Sequence, residues 1–97
     1  MTVYRQQPGD YLRTMREADG KTIDDVRVIL CMLKLVGLGR VWAAASTLNE
    51  TLIAIEQGRR GLNEAQLRSL SIVFPFSLAH YRRLDRALAL ALEAARG

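Results

Sequence analysis

Few residues in this chain could do chemistry, and their spacing points away from catalysis. His80 is the only histidine and Cys31 the only cysteine among 97 residues, so a histidine dyad or a multi-histidine metal site cannot be assembled. Cys31 lies in the apolar run Val28-Ile-Leu-Cys-Met-Leu33 and reads as a small buried hydrophobe. A lone cysteine permits no internal disulfide, which suits a reducing cytoplasm. The adjacent Asp24 and Asp25 face two directions on one turn and fit the positive end of a helix better than acid–base work. Gly37-Leu-Gly39 lacks both the spacing and the Lys-Ser/Thr of a phosphate loop. The chain reads as a non-enzyme with no cofactor or metal site.

Arginine is the more telling residue. The net charge is +4, and its distribution is uneven. Residues 1–57 hold seven basic and seven acidic side chains, whereas residues 58–97 set seven arginines against Glu64, Asp85 and Glu93. Twelve of the fourteen basic residues are arginine, whose guanidinium forks onto phosphate or carboxylate better than lysine does. A basic half suggests a polyanionic partner, the alternative being a face that only solubilises.

Composition bounds the scaffold that must position these groups. A chain of 97 residues that is 49% apolar and 25% charged is one ordinary globular domain. No long alternation of apolar and polar residues occurs, and Ala, Leu and Arg are good helix formers. An all-α single domain of five to six helices is expected. The first twelve residues contain Arg5, Pro8, Gly9 and Asp10, so no secretory signal is expected. The apolar stretch 28–48 contains Lys34 and Arg40, each costing about 2.5–3.5 kcal/mol at a membrane centre. It reads as a buried or partner-covered helix, not a span.

Helix punctuation is clear. The first helix runs from about Pro8 or Gly9 to Ala18, with Leu12 and Met15 inward and Gly20 as its stop. Thr22 with Asp25 begins the second in a variant capping box; its apolar positions continue to Gly37 and make it apolar nearly all round. After Gly37-Leu-Gly39, residues 40–45 are either a separate helical turn or the front of the next helix. Thr47 with Glu50 reads as another capping box, with Leu48, Leu52 and Ile55 on one face and Gly58 as the stop. Arg59-Arg60-Gly61 forms a tight basic turn. Asn63 with Gln66 opens a fourth helix that carries Leu67, Leu70 and Phe74 inward and ends at Pro75. Ser77 caps a last helix to about residue 95, with Leu84, Leu88 and Leu92 in line and Arg82, Arg83 and Arg86 largely opposite.

Two separated segments carry a resemblance. Leu12-Arg-Thr-Met-Arg-Glu-Ala-Asp-Gly-Lys-Thr-Ile-Asp-Asp-Val26 resembles the opening of the lambda-repressor-like (XRE-type) helix-turn-helix family. Leu52-Ile-Ala-Ile-Glu-Gln-Gly-Arg-Arg60 resembles that family's segment from recognition helix to following turn. Leu67, Leu70, Phe74, Phe76, Leu78 and Leu84 are similar to its last two helices. The resemblance covers about two-thirds of the chain and implies a DNA-binding transcriptional regulator of bacterial or phage type. It also implies an ion pair between Arg16 and Glu56. A largely buried Glu beside Ile55 would in any case need a hydrogen-bonded cation; the alternative is two surface charges that never meet.

In this family the third helix enters the major groove while the start of the second helix and the later turn hold phosphates. Carried over, the DNA-binding residues are Thr22, Thr47, Asn49, Glu50, Arg59 and Arg60. Asn49, Glu50 and Ala54 would face bases, and Thr22, Ile23, Arg59 and Arg60 phosphates. Asn can read adenine, and an acid can accept from cytosine. The stretch from Arg27 to Glu56 is longer than its family counterpart, so an apolar insertion is expected at about 31–46. Within it Leu33, Val36, Leu38 and Trp42 could form a homodimer or protein-partner face, or else thicken the monomer core.

Double-stranded DNA is thus the expected partner, with a homodimer and a second protein as further possibilities and no membrane. The rival reading is a protein–protein interaction adaptor that retains the fold without reading DNA. It is motivated by the neutral first half, the acid at Glu50 and the apolar insertion.

Overall fold

Local capping sets where each helix of this all-α protein begins and ends. The computed structural model describes residues 6–35, 42 and 45–96. Helix α1 (Pro8–Ala18) takes proline in its first turn, where a missing N–H costs nothing. Its end is a glycine turn: Gly20 at φ +74° lets the Gly20 and Lys21 amides donate to Glu17 and Arg16 carbonyls at 2.9 and 3.2 Å. Helix α2 (Ile23–Leu35) opens on the reciprocal pair Thr22 N–H to Asp25 and Asp25 N–H to Thr22, at 2.9 and 3.1 Å.

Helix α3 (Ala45–Glu56) starts earlier than the capping pattern suggested. Thr47 and Glu50 therefore lie inside the helix. The Thr51 hydroxyl donates back to the Thr47 carbonyl at 3.1 Å. Helix α4 (Glu64–Val73) has a full capping box between Asn63 and Gln66, at 2.8 and 3.1 Å. Helix α5 (Leu78–Arg96) is capped by the Ser77 hydroxyl, which accepts from His80 N–H at 3.1 Å.

The five helices of the described residues pack into one compact globule. Helix α1 lies against α3 and α5, α2 against α3 and α4, and α4 against α5. Leu12, Val26, Leu30 and Leu48 are almost wholly buried, joined by Leu52, Ile55, Leu70 and Phe74. Tyr11 ties α1 to the approach of α5: its hydroxyl accepts from Ser77 N–H at 2.9 Å, and its ring stands edge-on to His80 with centroids 4.6 Å apart. Gly9 lets α1 press on the end of α3, since a Cβ there would stand 2.5 Å from the Ile55 and Glu56 carbonyl oxygens.

Trp42 is 5% exposed and its indole N–H donates to the Ser69 hydroxyl on α4 at 3.0 Å. It belongs to the core, in line with the alternative of a thicker monomer core, and Leu33 packs half-buried against that core. Val36, Leu38 and the Gly37-Leu-Gly39 break lie outside the described residues. On α5 the inward line stops short: Leu84 and Leu88 are half-buried, but Leu92 is 58% exposed because no described helix reaches that far along α5. Among the described residues, no helix is long and apolar enough to cross a membrane.

Candidate functional site

The site expected from the sequence is the outer side of α3 and the turn that follows it. One side of α3 is committed to the core through Leu48, Leu52 and Ile55, with Thr51 also buried. The other presents Thr47, Glu50 and Ile53 to solvent, with Ala54 half-buried. This is the amphipathic division that helical spacing predicts. The exposed side carries no cation, because the α3 sequence contains neither Lys nor Arg.

The end of α3 is held by two devices. Gly58 at φ +78° allows its own amide to donate to Ile55 at 3.1 Å and the Arg59 amide to donate to Ala54 at 2.9 Å. That doubly bonded turn satisfies carbonyls left open at a helix end and fixes where Arg59 leaves the helix. The second device is Arg16. Its Nε and Nη2 donate to the two Glu56 oxygens at 2.7 and 3.0 Å, and its Nη1 donates to the Lys21 carbonyl at 2.7 Å.

The pair is mostly buried, with side chains 11% and 13% exposed. Beneath it lies a void of about 10 Å3 lined by Leu12, Ile23, Val26, Leu52 and others, room for one water at most. The Glu56 carboxylate raises the Arg16 pKa against the opposing effect of burial. A carboxylate at the negative end of α3 is unfavourable to the helix dipole, and the bidentate guanidinium offsets that.

The turn residues Arg59 and Arg60 are exposed. Arg59 Nε donates to Gln57 at 2.9 Å. Arg60 lines a small cleft with Gly58, Tyr81 and Asp85. Among the described residues, neither arginine has a carboxylate within ion-pair distance.

At the start of α2, Thr22 is exposed and Ile23 half-buried. Arg27 bonds Asp24 at 2.7 Å, which holds the Asp24 carboxyl below its usual range. Asn49 is half-buried, and its Oδ1 is buried without a hydrogen-bond partner among the described residues. Helix α3 packs against α2, and Asn49 is the side chain expected to face adenine. Glu50 is exposed on α3, while Arg59 and Arg60 are exposed beyond its end.

Sequence reasoning missed the Trp42–Ser69 bond. It joins residues with no recognisable spacing, and only Trp42's need for a partner when buried signals it. No group of three or more His, Cys, Asp or Glu able to hold a metal occurs among the described residues. These features define a class: an all-α globule, with five helices among the described residues, whose α3 is exposed on one side and ends in a basic turn. No family model, no curated protein and no solved structure matches the chain.

Proposed function

We propose that this protein is a DNA-binding transcriptional regulator of helix-turn-helix type. The carrying observation is helix α3, exposed on one side, whose end is fixed by the Arg16–Glu56 pair and runs into Arg59 and Arg60, which among the described residues have no carboxylate within ion-pair distance. A helix of that diameter fits the major groove, and an exposed basic turn beside it suits the flanking phosphates. Base contact falls to Asn49, Glu50 and Ala54. Such a reading has the protein act in the cytoplasm, as a homodimer wherever its target is a palindrome.

The test is a gel-shift titration across salt. Arg59→Ala with Arg60→Ala should weaken binding to all sequences alike, and Glu50→Ala should relax preference at one base pair. If the intact protein binds no duplex even at low salt, the reading fails.

One observation favours a second reading, an interaction adaptor. The exposed side of α3 has no cation and carries Glu50. An acid there repels phosphate and would suit a basic protein surface. The same titration separates the two, because an adaptor shows no salt-sensitive duplex binding.

A further inference from the structure

Helix α5 carries Arg82, Arg83 and Arg86 on one side, where with Ala79 they line a shallow cleft of about 280 Å3. All three are exposed. Arg82 and Arg86 are four residues apart, and Arg83 and Arg86 three, spacings at which like charges on a helix repel. Little within the protein relieves this. Arg82 bonds Glu64 at the start of α4, but Glu64 is shared with Arg68 at 3.7 Å. Among the described residues, no carboxylate stands within ion-pair distance of Arg83 or Arg86. Asp85 lines the other cleft, the one shared with Tyr81 and Arg60.

The Tyr81–Asp85 cleft places the basic turn alongside α5, since Arg60 borders that side of the helix. The chain leaving the turn reaches Glu64, which meets Arg82, a neighbour of Arg83 and Arg86 in their own cleft. The segment 59–64 therefore runs from Arg59 and Arg60 to the edge of the α5 arginine cluster.

We propose that Arg83 and Arg86 contact backbone phosphates of the same DNA duplex that Arg59 and Arg60 hold, extending the phosphate-binding surface from the turn onto α5. A polyanion relieves the repulsion among the α5 arginines and is matched by charge to a strip lined by arginine and one alanine. This inference rests on the DNA-binding reading above, and its failure can be told from that reading's failure.

The experiment measures binding of the whole chain to a labelled random-sequence duplex by fluorescence anisotropy over a range of salt concentrations. Each neutralised phosphate contributes about −0.9 to the slope of log K against log salt. Arg83→Ala with Arg86→Ala should therefore make the slope shallower by about 1.8, and Arg83→Lys with Arg86→Lys should keep it, since the charge is retained. Helical content by circular dichroism shows that both variants fold, as exposed side chains allow. An unchanged slope in the alanine variant, with a reduced one in Arg59→Ala/Arg60→Ala, overturns the α5 strip and leaves the DNA reading standing. Absence of salt-dependent binding by the unaltered protein overturns both. Competition by polyglutamate as effective as that by duplex of equal charge assigns the strip to an acidic protein and overturns the proposal.

Discussion

Arg16 and Glu56, forty residues apart in the chain, meet in a bidentate pair at 2.7 and 3.0 Å. The same guanidinium also holds the Lys21 carbonyl just beyond the end of α1. One side chain thus joins the end of α1, the approach to α2 and the end of α3. Its removal should loosen the element on which the proposed function depends.

Arg16→Ala leaves a mostly buried carboxylate and a backbone carbonyl without their donor. A loss of about 2–4 kcal/mol is expected, near the lower part of the range for breaking a buried pair. Arg16→Lys should recover only part of it, because an ammonium cannot fork onto both oxygens. Urea unfolding of the two variants and of Glu56→Gln checks the order; equal stability of Arg16→Ala and the unaltered protein would refute it.

Gly9 is the point where α1 touches the backbone of α3. A methyl group there would stand 2.5 Å from two carbonyl oxygens, and backbone cannot swing aside as a side chain can. Gly9→Ala should destabilise by about 1–3 kcal/mol through overpacking, although alanine is otherwise the better helix former. A rise in the urea midpoint would show that the helices separate freely.

Trp42 is the only tryptophan and is buried beside Ser69. Its fluorescence should be blue-shifted in the folded protein and shift red on unfolding. Ser69→Ala leaves the indole N–H without its acceptor and should cost about 1–2 kcal/mol. A red-shifted spectrum before denaturant is added would contradict the buried position.

Burial, assisted by Asp85, pushes the Tyr81 phenol up to about 12 from 10.0. In the unfolded chain this proton leaves near pH 10, while the folded protein keeps it until about pH 12. The stability linked to the neutral phenol is therefore complete below pH 10 and is lost as pH rises from there toward 12. The loss should reach about 2 kcal/mol. Thermal melts at successive alkaline pH values, compared with Tyr81→Phe, should show the steeper decline in the unaltered protein.

Caps and stops were the part of this protein most open to reading from sequence. Thr22 with Asp25, Asn63 with Gln66, and Ser77 each satisfy backbone amides within three residues, so the chemistry is complete in the local sequence. The α3 start was less open, because Thr47 and Glu50 have the spacing of a cap yet lie inside a helix that runs from Ala45.

Sequence by itself determined the all-α class and most helix ends, since hydrogen bonds across three to five residues and helical periodicity decide them. It also separated a charge-balanced front from an arginine-rich back. Only the tertiary structure decided which apolar and polar side chains were available. Trp42 went to the core because Ser69 on α4 offered its indole an acceptor, and Leu92 stayed exposed because no described helix reaches that far along α5. Each outcome depends on which surface arrives opposite a residue, and that is a property of packed helices that no local spacing contains.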